Sequence, residues 1–210
     1  MSPLRYVGGF CWRFVLAYGL LIAPWPGWNA AYGSWFRALN QSVFVSDGQR
    51  LLRFEAAKDV RVPMDTLIEL ANRARGDGSG NLAGMRLLLD SRGVGWIPSA
   101  LFIALTLASP VGWRRRAWAL ALGFVLIHVY IVFSVGCFIW NQSAGIGLVA
   151  LPPFLKAVVA GLEETMVTQL GASFVVPVVI WAVVTFRVLD IGRIFSNEDP
   201  QRAPSRGTTM

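Results

Sequence analysis

The run LIHVYIVFSVGC, residues 126–137, places the only histidine of the chain, His128, and one of its two cysteines, Cys137, inside an otherwise apolar stretch. A thiol and an imidazole are the parts of a membrane cysteine transpeptidase or peptidase, which needs its thiolate within hydrogen-bond reach of a base that a third group orients. On one helix a separation of nine residues amounts to about 900°, half a turn out of phase, and about 13 Å of rise. The two therefore form no dyad with each other. An enzyme built on Cys137 or on the second cysteine, Cys11, requires His128 from a different helix or a different chain.

Other chemistries find less support. A single histidine excludes haem held by two histidines, and the HExxH signature of zinc proteases is absent. No GxSG occurs for a rhomboid-type serine protease, and Glu163-Glu164 lack the accompanying arginine and histidine motifs of the proteases that process prenylated proteins. The run RGDGSGN, residues 75–81, contains an adhesion tripeptide, half of a calcium loop and a glycine cradle. The twelfth position of that calcium loop is Leu88 rather than a bidentate acid, and no Lys-Ser/Thr pair follows for phosphate, so the run reads as a turn. No catalytic residue, cofactor or metal ligand is assigned.

The elements that carry these residues are apolar. Of 210 residues 55% are hydrophobic and nine are tryptophan, with a mean hydropathy of +0.53, which points to an integral membrane protein. A bilayer core of about 30 Å takes about 20 apolar helical residues, and four segments approach that: Phe10 to Pro24, Trp96 to Val111, Ala117 to Trp140 and Leu170 to Phe186. The expected fold is an all-α membrane protein with four transmembrane helices and a small extracytoplasmic α+β module between helices 1 and 2. Its parts are an anchor over 1–27, the module over 28–95, and a membrane region over 96–190 with spans 96–112, 117–140 and 169–187. An interfacial segment over 148–168 and a disordered cytoplasmic tail over 191–210 complete it. The first span is interrupted by Arg13 and ended by Pro24 and Pro26, a shape shared with a signal peptide. Trp25 and Trp28 favour a retained anchor, since indole rings settle at the headgroup level.

The basic excess, 19 Lys and Arg against 12 Asp and Glu, reads as topology rather than nucleic-acid binding. Arg114, Arg115 and Arg116 occupy the short link between two apolar segments, and such clusters stay cytoplasmic. Both termini are then cytoplasmic, with Arg5 and Arg13 at one end and Arg187, Arg193, Arg202 and Arg206 at the other, and 28–95 faces outward from a bacterial inner membrane. Cys11 and Cys137 fall near opposite faces, which leaves no geometry for a disulfide. Within the module, 51–54 and 86–90 have strand character, and Pro63 to Arg73 places Leu67, Ile68, Leu70 and Ala71 at helical spacing, with Asp65 as a cap. Residues 154–169 form an amphipathic stretch at the outer interface, with Lys156, Glu163 and Glu164 on its polar side. The sequons at Asn40 and Asn141 are weak signals. Ionisable and polar groups near spans usually meet a bundle interior or a partner, which makes His128, Glu163, Glu164 and Gln169 the candidates for a partner interface.

Three stretches carry a resemblance: LLIAPW at 20–25, GVGWIPSALFIALTLASPVGWRRR at 93–116 and QLGASFVVPVVIWAVVTFR at 169–187. With the layout around them, over residues 4 to 190, the chain resembles the small four-span membrane proteins associated with exosortases, presumed transpeptidases that recognise C-terminal sorting tails. The resemblance implies an accessory of an envelope protein-sorting or exopolysaccharide-linked export system. It implies no catalysis, and the Cys, Arg and His that exosortases carry on separate segments are not reproduced. The expected function is a non-catalytic membrane accessory or scaffold, in contact with lipid and with another polytopic membrane protein. A small cysteine transpeptidase or peptidase and a transport or lipid-handling subunit stand as alternatives.

Overall fold

The computed structural model describes residues 3–44, 50–57, 64–72, 83–145, 148–164 and 170–186. The glycine-rich run 75–81, Gln169 and the tail 191–210 lie outside these residues. In chain order the elements are α1 (Pro3–Ile22), α2 (Trp28–Val43), β1 (Arg50–Ala56), β2 (Thr66–Asn72), β3 (Ala83–Leu89), a π turn (Arg92–Trp96) that runs into α3 (Ile97–Ala108), α4 (Trp113–Gly145), α5 (Pro153–Glu163) and α6 (Leu170–Thr185).

The expectation of an all-α protein with four transmembrane helices is corrected. The fold is mostly helical with a three-stranded sheet, and among the described residues one helix, α4, is long and apolar enough to cross a membrane. The apolar parts of the other candidates, Val7–Ile22, Arg92–Ala108 and Ser173–Thr185, have at most 17 residues, about 26 Å at 1.5 Å per residue against a hydrocarbon core of about 30 Å. The reasons are local. Ser109 is extended, as a residue before proline prefers, so α3 stops at Ala108 instead of continuing to 112. The Pro24-Trp25-Pro26 turn and Gly27, at φ +77°, where glycine carries no steric penalty, redirect the chain after α1.

Three side chains close the end of α1. Its last carbonyls have no helical partners; the Trp25 indole donates to Leu20 O at 2.8 Å, the Trp96 indole to Leu21 O at 3.1 Å and the Arg92 guanidinium to Ile22 O at 2.7 Å. Arg92 also places a cation where the helix dipole favours one. Helix α1 packs on α3, and α3 on α6 and α4. Where α3 meets α4, Phe102 fills the space that a side chain at Gly123 would take, the close approach that a small residue permits.

The sheet is antiparallel in the order β1-β2-β3. Leu52, Leu70 and Met85 align across it, as do Phe54, Ile68 and Leu87, while Arg53, Glu69 and Arg86 align on the opposite face. The first two rows face inward and build one core with Phe36 of α2 and Ile127, Ile131, Val135 and Ile139 of α4, residues four apart that share one helix face. The C-terminal half of α4 is thus the floor of the sheet. Strands were expected near β1 and β3, and there the structure agrees. Of the helix expected over 63–73, residues 66–72 are instead β2, and Asp65 caps no helix there. Its carboxylate accepts from the Ser91 backbone N–H at 3.0 Å, the Ser91 hydroxyl at 2.5 Å and the Thr66 hydroxyl at 3.2 Å. That network ties the entry of β2 to the turn after β3.

Candidate functional site

His128 sits at the level where the two halves of α4 meet. Its ring lies edge-on to Trp35, with centroids 4.7 Å apart, and 4.1 Å from Phe124. Nδ1 is 2.6 Å from the Phe124 carbonyl; because a carbonyl only accepts, the proton is on Nδ1. Nε2 is buried without a hydrogen-bond partner among the described residues. Cys137 is buried and Cys11 exposed, and no group of three or more His, Cys, Asp or Glu side chains gathers among the described residues. His128 therefore belongs to an aromatic collar that continues from Trp35 through Tyr32 and Trp96 to Trp28. Burial pushes the Tyr32 phenol well above its ordinary value, and the Asp65 carboxylate adds to the effect, so this hydroxyl stays neutral. Ser91 is 1% exposed and hydrogen-bonded to Asp65, which leaves it no access to a substrate.

The acidic candidates separate. Glu163 closes α5 onto the end of α4: its carboxylate accepts from the Asn141 side chain and, at 3.2 Å, from the Gln142 side chain. Glu164, the next residue, is exposed. Glu163 is thus occupied within the chain, and sequence reading had no signal for partners 21 and 22 residues away.

The arginine triplet lies in the first turn of α4 rather than in a link. Arg116 donates to Ser109 O at 2.8 Å and to Val111 O at 3.4 Å, capping the end of α3. The same Ser109 accepts from the Trp181 indole of α6 at 2.8 Å through its hydroxyl. Arg114 is exposed between Trp113 and Trp118, which are 71% and 77% exposed.

A cavity of about 190 Å³ opens between the sheet and the end of α4, walled by Phe44, Leu52, Leu70, Ile139, Trp140 and Leu148. Asn72 spans its rim by donating to Leu148 O at 3.0 Å. Its size is comparable to an engineered apolar cavity of about 150 Å³ that binds benzene, so it has room for a ring or a short stretch of acyl chain.

Comparison with known protein families, with curated proteins and with solved structures finds no match.

Proposed function

We infer that this chain is a non-catalytic accessory protein seated in a membrane, where it holds a small sheet against the side of a membrane helix for a protein partner. One observation carries the reading: α4 is apolar on two opposite faces. Inward lie Ala119, Gly123, Ile127, Ile131 and Val135; outward lie Trp118, Leu122, Val125, Val129 and Phe133, each half exposed or more. A helix apolar all round belongs in a protein interior or in lipid. On other helices Val15, Leu16 and Leu20 of α1 and Val175, Val179 and Val183 of α6 are likewise more than half exposed. Monomers in water rarely expose patches of more than a few hundred Å² of this kind.

The absence of a catalytic role is supported by the placement of the reactive groups. The histidine ring is packed in aromatics, the buried thiol lies about 13 Å further along the same helix, and Glu163 is engaged by carboxamides. Lipid through α4 and a second membrane protein are the partners this reading requires. An exosortase-type sorting enzyme is the first candidate partner only as the class that the sequence resemblance names, carried by the stretches 20–25, 93–116 and 169–187.

The test is purification in mild detergent of the tagged chain from native membranes, with an untagged control. Recovery of one polytopic membrane protein at near-equal stoichiometry is the expected result. A chain that purifies alone contradicts the accessory role, and a chain released from membranes by alkaline carbonate contradicts the seating.

A further inference from the structure

The two edges of the sheet are treated differently. On β1 the outward backbone groups are closed by a side chain: Gln41 of α2 accepts from the Phe54 N–H at 2.9 Å and donates to the Leu52 carbonyl at 3.1 Å. One carboxamide thereby imitates a neighbouring strand, a way of sealing an edge. It also fixes the hydrogen-bond phase of the sheet. Residues 52 and 54 point away from β2, so 51, 53 and 55 bond to 71, 69 and 67; residues 66, 68, 70 and 72 then bond to 89, 87, 85 and 83. The N–H and C=O groups of Gly84, Arg86 and Leu88 are left pointing outward from β3.

No hydrogen bond among the described residues reaches those groups. The side chains at Arg86 and Leu88 are exposed, at 76% for Arg86, and Gly84 contributes no side chain that would screen the edge. An exposed row of this kind is a template for an added strand.

We propose that the β3 edge binds an extended segment of a partner protein as a fourth strand, with an acidic residue opposite Arg86 and a large apolar residue two positions away, opposite Gly84. The acid follows from the charge row across the outer face. Arg53, Glu69 and Arg86 align in register, and Arg86 Nε is 2.9 Å from Glu69. The signs alternate plus, minus, plus, and opposite charges on facing strands stabilise while like charges destabilise. The apolar residue follows from the next row. Leu51, Ala71 and Gly84 align beside it, and with Glu69 and Arg86 they line a shallow open hollow on the outer face. Strand alternation sends residues two apart to the same face, so the acid and the apolar side chain arrive together. A second copy of this chain fits less well, because centring β3 on its own symmetry mate sets Arg86 against Arg86. This inference names the chemistry of the partner and rests on the accessory reading for its biological setting, although the edge itself is independent of the membrane.

The experiment uses the full chain in detergent micelles and a fluorescent nine-residue peptide of alternating Thr and Val, with a central Glu and a Phe two residues from it. Fluorescence anisotropy measures binding, and hydrogen exchange follows the amides of residues 84, 86 and 88. Saturable binding, slowed exchange at those amides and roughly tenfold weaker binding of the peptide with Lys for Glu are expected. Arg86→Glu should reverse the preference between the two peptides. Leu88→Pro should abolish binding with the fold intact, because that N–H makes no bond to β2 and proline is tolerated at an edge. Equal binding of both peptides, protection elsewhere in the chain, or amides already protected in a concentration-dependent dimer would each overturn the proposal. A peptide that binds as described to a chain that copurifies with no membrane protein overturns the accessory reading alone.

Discussion

Gly123→Leu is expected to cost about 3 kcal/mol of stability by forcing α3 away from α4. The Phe102 ring, fully buried, already fills the place of a side chain at 123. The reciprocal truncation, Phe102→Ala, leaves a cavity and should cost a similar amount, about 3–5 kcal/mol. Each loss is measurable as a lowered midpoint of unfolding by circular dichroism in detergent. The double variant should recover part of both losses, since the leucine then fills the space that phenylalanine leaves, giving a coupling of about 1–2 kcal/mol. Additive losses would show that the two residues do not share one contact.

Ile131→Asp is the second large effect. Ile131 is 0% exposed in the core that joins the sheet to α4, and an unpaired carboxylate there costs about 4–5 kcal/mol. The loss should be confined to one half of the molecule, because α1 and α6 do not enter that core except through Ile180 at its margin. Limited proteolysis should therefore cut α2 and the strands while α3 and the start of α4 stay protected. Val129→Asp, two residues away at a position 61% exposed, should leave that core in place in detergent. Simultaneous cleavage everywhere in Ile131→Asp would mean that the sheet and the bundle fold as one unit.

Part of this architecture is legible in the chain, and the rest is hidden for physical reasons. Helix α4 is plain because its apolar run is long. Strand β2 carries a helix-like pattern because Leu67 and Ala71 on the outer face are as apolar as Ile68 and Leu70 on the inner one, and short apolar runs carry no decisive period. Helix α2 has no hydrophobic signature in the sequence because its inward positions, Gly33, Phe36 and Asn40, include a glycine and an asparagine that no hydrophobic template counts. The apolar run of α3 is longer than its helix because Ser109-Pro110 ends the helix at Ala108. Glu163 and His128 were visible as unusual residues, but their partners, Asn141 and Gln142 in one case and Trp35 in the other, are set by tertiary contact. The closure of β1 by Gln41 is of the same kind: nothing in a glutamine of one helix announces the edge of a strand.

In the proposed membrane seating the outward face of α4 lies against lipid while the outer face of the sheet lies in water. Single spin labels at Val125→Cys and at Arg53→Cys, each in a background with Cys11 and Cys137 replaced by serine and alanine, test it in liposomes by power-saturation EPR. At position 125 oxygen should relax the label far more than a water-soluble nickel chelate does, and at position 53 the order should reverse. A label at 125 that the nickel chelate reaches as readily as the one at 53 would contradict the account.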